Sequence, residues 1–332
     1  MQKYGKVFRP TRAHGRRNLV MATPESLFRF KCVERSWYFL INDVIRNPKF
    51  VTKHLNNSKK KASSFIIKCD VHELMGHSSV HIYHNENNRQ RLVSSLKDLA
   101  PLLPKCDDVR GAFRTGGISH CNGIICIANF LGCHIVLWNP ATRELKHLPD
   151  PCSHNRILNG LTKVGFGYDY IDNVYKVVRV FRRLGTFKAE VYTLGLDAWR
   201  DVEVNQVVES FNEYPAHTKV VHCKGFYYWL ACKTPTPNLR VMQMIHSFDM
   251  HKEKFDTIPL PDIVQSREFS TACRISLTEW NESFALIYIP GKERNQGKSI
   301  DIWVLHDSSE GHRNSPSWTK QLSLDPGQRE YS

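Results

Sequence analysis

Residues 135–149, IVLWNPATRELKHLP, set an apolar run against a half-apolar one across a polar turn, and this pattern returns three times along the chain. The turn, Asn139-Pro140-Ala141-Thr142, has Asn and Pro where a type I turn favours them: Asn can bond back to the backbone, and Pro presets φ. The later copies are 189–202 (AEVYTLGLDAWRDV), 245–261 (IHSFDMHKEKFDTIPLP) and a longer one that begins at Ile300 and resumes at Trp318. Anchor aromatics Trp138, Tyr192, Phe248 and Trp303 are spaced by 54, 56 and 55 residues. Seven positions after the first three anchors comes a second apolar residue: Leu145, Trp199 and Phe255. In the fourth copy Trp318 lies fifteen positions on, which implies an insertion of polar residues over 306–315.

Another candidate strand pair precedes each copy, at 121–129, 164–181, 221–232 and 273–289. Two hairpins per period predict four strands in about 50 residues, the pattern of a kelch-type propeller blade. An unrelated β-sandwich would explain short strands with turn signals, but not the period. The fold class expected is mainly β, a kelch-type β-propeller-like domain, with Trp199 and Phe255 in its core.

The N-terminal part follows a different pattern. Residues 1–22 are rich in Arg and Lys and lack apolar periodicity, so a basic disordered arm is expected there. Thr23-Pro24-Glu25 then reads as a helix start, with a hydroxyl at the N-cap, Pro at N1 and an acid in the first turn. After it, Leu27, Phe30, Val33, Trp37 and Leu40 fall near one helical face at spacings of three and four. A second start at Asn47-Pro48 opens a short helix that includes Phe50. Two helices of this size cannot build a core alone, so the apolar faces over 23–58 need a docking partner. Lys59, Lys60 and Lys61 mark a junction, and the β domain is expected over 62–332. Within it, 64–68 and 79–83 read as a strand pair and the polar stretch after them as linker.

Charge sharpens this division. The chain of 332 residues has a formal charge of +14, but residues 1–61 carry fifteen Lys/Arg against three Asp/Glu, and the rest carry 31 against 29. The repeat region is thus near neutral, which argues against a nucleic-acid-binding surface spread over the β domain. The first twenty residues have no apolar signal-peptide core, and the most apolar window, 123–138, is broken by Asn129 and His134. A cytoplasmic or nuclear protein with no membrane segment is expected.

Candidate chemistry is sparse. Cys121, Cys126 and Cys133, with His120 and His134 nearby, lack the tight knuckles of structural zinc sites, so no metal and no cofactor are expected. Gly165-Phe166-Gly167 does not have dinucleotide-loop spacing, and its glycines read as sites of close strand packing. No nucleophile, acid/base or phosphate-loop motif is present, so no catalytic residue is assigned. Binding is the remaining reading. Loops at 182–188, 233–240, 291–298 and 306–315 carry Arg183, Lys188, Arg240, Lys292 and Arg294, which together would favour an acidic patch on a protein target.

The segments SLFRFKCVERSWYFLI and NPKFVTKHL closely resemble the C-terminal half of the F-box motif of plant F-box proteins. CNGIICI, WNPATRELKHLP and VGFGYDYIDNVYKVVRV resemble the F-box-associated domain of the same proteins, within them the S-locus F-box-type group. The resemblance runs from about Ser26 to Trp318. It makes 23–58 a partial F-box and 62–332 an F-box-associated domain. It implies a substrate-recognition subunit of a cullin-RING ubiquitin ligase, with Leu27, Phe30, Val33, Trp37, Leu40 and Phe50 contacting a Skp-type adaptor, and through it a cullin. The β domain would then bind the protein to be ubiquitinated, a secreted-type ribonuclease if the S-locus likeness extends to function. Three departures stand against the pattern. Residues 1–25 hold no counterpart of the first F-box helix, 43–46 are inserted, and family members continue for roughly one more blade past Ser332. The alternative they raise is an interaction module that has lost its adaptor.

Overall fold

A computed structural model describes residues 115–129, 131–140, 142–151, 162–183, 186–205, 220–233, 242–265, 274–290, 299–306 and 317–324, and the strand backbones of 63–70, 78–86 and 89–95. Nearer the N-terminus it describes residues 27, 35, 38–41, 47, 49, 50, 52 and 53. The chain divides into two units, 1–113 with 138–145, and 114–137 with 146–332.

In the first unit, Leu27, Arg35 and Tyr38 to Ile41 are helical, as the apolar spacing predicts. The second helix start also holds: the Lys49 N–H donates to Asn47 Oδ1 at 3.0 Å, an N-cap bond across Pro48. Three strands follow, β1 (Ser63–Asp70), β2 (Ser78–Glu86) and β3 (Arg89–Ser95), in one antiparallel sheet of order β1-β2-β3. The expected pair is β1 and β2. The stretch expected as linker instead supplies β3, pairing Glu86 with Arg89 and His81 with Ser95.

Sixteen further strands form four sheets, each a four-stranded antiparallel meander in chain order. The first contains β4 (Thr115–Cys121), β5 (Ile124–Asn129), β6 (Ile135–Asn139) and β7 (Glu144–His147). The second contains β8 (Lys163–Asp169), β9 (Val174–Arg183), β10 (Thr186–Thr193) and β11 (Ala198–Val202). The third contains β12 (Val221–Cys223), β13 (Phe226–Lys233), β14 (Met242–Asp249) and β15 (Phe255–Pro259). The fourth contains β16 (Arg274–Trp280), β17 (Ser283–Ile289), β18 (Ile300–His306) and β19 (Ser317–Leu324). These are four propeller-type blades, and a single turn of helix, α1 (Asp262–Gln265), follows the third.

Burial explains the composition of each strand. β5 and β9 are covered on both faces and read as near-continuous apolar runs, whereas β11 and β19 alternate or lie mostly open. Between the second and third blades, Val178, Val180, Phe187, Ala189 and Val191 meet Tyr227, Trp229, Phe248, Met250 and Phe255. Between the third and fourth, Tyr228 stacks on Phe284 with ring centroids 3.9 Å apart. Gly165 makes one of these contacts possible. A Cβ there would lie 2.4 Å from the Tyr227 ring, whose hydroxyl donates to Val164 O at 3.1 Å. The close-packing role read from Gly165-Phe166-Gly167 is thus realised.

The seven-residue offset is realised as cross-strand pairs, Tyr192 opposite Trp199 and Phe248 opposite Phe255. Trp138, Tyr192, Phe248, Trp199 and Phe255 are all buried. The fourth anchor requires correction. Trp318 pairs with Leu305, and Trp303, half-buried, pairs with Lys320, whose Nζ lies 5.1 Å over its ring. A bulge between Ile302 and Trp303 shifts the register, so Leu305 holds the position expected of Trp303. Another boundary also moves: the pair expected at 121–129 has its first strand, β4, before Cys121.

Candidate recognition surface

A meander sends its turns to alternate ends of the blade. Within the second unit, the β4–β5, β8–β9, β12–β13 and β16–β17 turns belong to one end, with β10–β11 and β14–β15; it is called here the turn end. The connections β5–β6, β9–β10, β13–β14 and β17–β18, and those between blades, belong to the other, the crossover end.

This topology separates the four loops that the sequence had pooled. The connections at 182–188, 233–240 and 291–298 belong to the crossover end, whereas 306–315, joining β18 to β19, belongs to the turn end. The first is also shorter than expected. β9 runs to Arg183 and β10 starts at Thr186, so Arg183 and Lys188 are exposed strand residues beside a two-residue tip. Arg240, Lys292 and Arg294 lie outside the described residues, as do Phe30, Val33 and Trp37. Of the other adaptor-facing candidates, Leu27 is buried, and Leu40 and Phe50 are half-buried. Ile41, which the helical spacing did not pick out, is fully buried, while Tyr38 and Phe39 are exposed with rings edge to face at 5.6 Å.

The turn end is built tightly. Asn122 and Gly123, Lys224 and Gly225, and Asn281 and Glu282 fill two-residue turns with both φ values positive, the type I′ geometry that suits the twist of a hairpin. The β8–β9 tip is longer and is held by Asp169, whose Oδ1 accepts the N–H groups of Ile171 and Asp172 at 2.9 and 3.1 Å. Lys176 donates to Asp169 Oδ2 at 2.8 Å and to Met250 O at 2.7 Å, and pairs with Glu253 at 3.0 Å; Arg200 pairs with the same Glu253. Burial alone would raise the Asp169 carboxyl pKa, but the Lys176 hydrogen bond and the two backbone N–H groups outweigh it and hold it at about 2.

Asp169, Asp172 and His251 bring three potential ligand atoms within 4.8 Å of one another. Lys176 Nζ already stands 2.8 Å from Asp169 and 3.8 Å from Asp172, so an ammonium neutralises these carboxylates. The cysteine set considered for zinc fares no better. Burial pushes the Cys126 thiol up to about 12, which keeps it protonated and a poor ligand.

One feature of the turn end was missed in the sequence. Phe166, fully buried, stacks on Tyr175 at 5.5 Å; Tyr175 meets Tyr168 at 4.7 Å, and Tyr168 meets Tyr170 at 5.1 Å. This ladder runs from the core to solvent, where Tyr170 and Ile171 are 54% and 67% exposed. Phe226, on the neighbouring turn, is 37% exposed and stacks on Tyr228 at 6.1 Å. The overlooked signal was the pair Tyr170-Ile171 at a hairpin tip, where polar residues are the rule.

Four-stranded meanders with a shared period define a β-propeller-type protein that carries helical residues ahead of it. Residues 63–331 match the family described as F-box associated beta propeller domain, and the chain belongs to that family. Two Arabidopsis thaliana relatives named as F-box proteins are 25% and 27% identical, over 86% and 89% of this chain and 71% and 63% of their own lengths. The F-box/kelch-repeat protein At3g23880 of the same plant is 22% identical over 91% of this chain and 76% of its own. Among solved structures, a thermostable family-43 glycoside hydrolase is similar at a TM-score of 0.39 and 10% identity, over 80% of this chain and 96% of that one.

Proposed function

We propose that this chain is the substrate-recognition subunit of a Skp–cullin–F-box ubiquitin ligase and is not itself an enzyme. The family match over 63–331, behind helical residues that fit the C-terminal half of an F-box, carries this reading. Leu27, Phe30, Val33, Trp37, Leu40 and Phe50 contact the Skp-type adaptor, and the β unit holds the protein to be ubiquitinated. Arg183 and Lys188, exposed at the crossover end, together with Arg240, Lys292 and Arg294, attract an acidic patch of that target. The S-locus likeness points to a secreted-type ribonuclease as target, met in the cytoplasm.

The test is co-purification of the chain with a Skp-type adaptor, beside a Trp37→Ala variant. Binding that the variant abolishes supports the reading. If neither form binds, the interaction module without a ligase takes its place, for which the missing counterpart of the first F-box helix in residues 1–25 is the motivating observation.

A further inference from the structure

We propose that the turn end of the β unit, at Tyr170, Ile171 and Phe226 with Glu279 and Glu282 beside them, docks an extended basic segment of a partner protein, a Lys or Arg side chain lying against the aromatic faces and an aliphatic neighbour against Ile171. The site is distinct from Arg183 and Lys188, which lie at the opposite end, and it does not depend on adaptor binding.

The surface is rigid before any partner arrives. Asp169 fixes the backbone of the tip through two N–H groups and is itself locked by Lys176, while each ring of the ladder rests on the one beneath it. Preorganised tyrosines offer large contact area with little rotamer entropy left to lose. The three turns also converge. A Cβ on Gly225 would touch Tyr170 at 3.8 Å, and Cys223 Sγ reaches Glu282 O at 3.7 Å, so the β8–β9, β12–β13 and β16–β17 turns are neighbours.

Charge selects the partner. The Tyr170 hydroxyl is pushed up by burial first, and Glu279 adds to the shift, which places that carboxylate within electrostatic reach of the ring. Glu279 and Glu282 are exposed and make no ion pair among the described residues, and Asp172 lies on the Tyr170 tip. Lys224 is the basic group on the adjoining turn, and Lys176 and His251 partly answer Asp172. Carboxylates and ring faces both attract cations, and an aromatic face strengthens that preference as water is displaced. Non-specific attraction to a chain of net charge +14 would draw acidic segments instead, so the expected selectivity runs against the bulk charge.

A random dodecapeptide library displayed on phage, panned against the full chain, tests this. Three variants run beside it: Tyr170→Ser with Ile171→Ser, Glu279→Lys with Glu282→Lys, and Leu196→Ser, equally exposed but outside the site. Unchanged melting transitions establish that these surface substitutions leave the fold intact. The expected result is a peptide set with Lys or Arg beside aliphatic residues, weakened tenfold or more by either double variant and unaffected by Leu196→Ser. Variant-sensitive peptides that are acidic, or an enriched set that both double variants bind as well as the original chain, would overturn the proposal.

Discussion

Trp199 donates its indole Nε1–H to the carbonyl of Pro149 at 2.7 Å, tying the start of one blade's outer strand to the end of the previous blade's. The same bond returns at the last junction, from Trp318 to Pro259 at 2.9 Å. At the junction between them Phe255 takes the Trp position and has no N–H to offer. There Asn205 of the earlier blade donates to Phe255 O at 2.9 Å instead. Every one of the three junctions is thus fastened by a side-chain donor on a backbone carbonyl. Trp199→Phe should lose about 1 kcal/mol, the net worth of one hydrogen bond. Trp199→Ala should lose on the order of 3–5 kcal/mol, because a buried ring goes with it. Urea unfolding of the two variants separates these terms; equal losses would mean that the bond to Pro149 contributes nothing.

Gly165 sets how closely its blade meets the next. Gly165→Ala puts a methyl into the Tyr227 ring, and that ring cannot retreat without breaking its bond to Val164 O. A loss of roughly 1–3 kcal/mol is expected, the usual cost of overpacking. Gly165→Ala combined with Tyr227→Leu should be less destabilised than the sum of the two single changes. Simple additivity in melting experiments would show that the contact is not tight.

Much of this was legible because the repeat carries packing information. Tyr192 and Trp199 must face each other across a short turn, and a fixed offset of seven residues records that requirement in each regular copy. Where the register slips, the record fails. The bulge at Ile302 and Trp303 and the long insertion after His306 hid Leu305 behind a more conspicuous tryptophan. β3 was missed because Arg89, Gln90 and Arg91 look like a loop, whereas backbone pairing with β2 makes them a strand. α1 is a single turn closed by a bond from Val264 N to Pro261 O, too short to show a helical period. The aromatic ladder escaped because it joins residues of β8, β9 and their turn through ring contacts with no fixed spacing.

Lys176 balances several carboxylates from a position almost closed to water. Lys176→Met should cost about 3–5 kcal/mol, since it leaves Asp169 buried beside Glu253 without a counter-charge. Adding Asp169→Asn should recover part of that loss, and a double-mutant cycle by urea unfolding measures the coupling. If the pair is uncoupled, the bond from Lys176 to Met250 O alone explains the conservation of geometry at this corner.

His246 and Asp169 should impose separate pH windows on stability. His246 is fully buried, with its ring edge to face against Trp229 at 5.4 Å, and burial lowers its pKa to about 4. The unfolded chain takes up a proton near the ordinary value of about 6.5. Between those values the unfolded state binds more protons than the native one, so stability must fall as pH falls from about 6.5 to about 4. The total is on the order of 3 kcal/mol, at about 1.4 per pKa unit. Asp169 acts lower. Its native carboxyl titrates at about 2 and an unfolded one near 4, so its contribution is intact above about 4 and is lost as pH falls through 2. Urea unfolding of the whole chain across pH 4–7 should therefore show a slope that His246→Gln flattens and Asp169→Asn leaves in place. A slope that survives His246→Gln would assign the effect to another histidine and would mean that the native fold admits a charged imidazole beside Trp229.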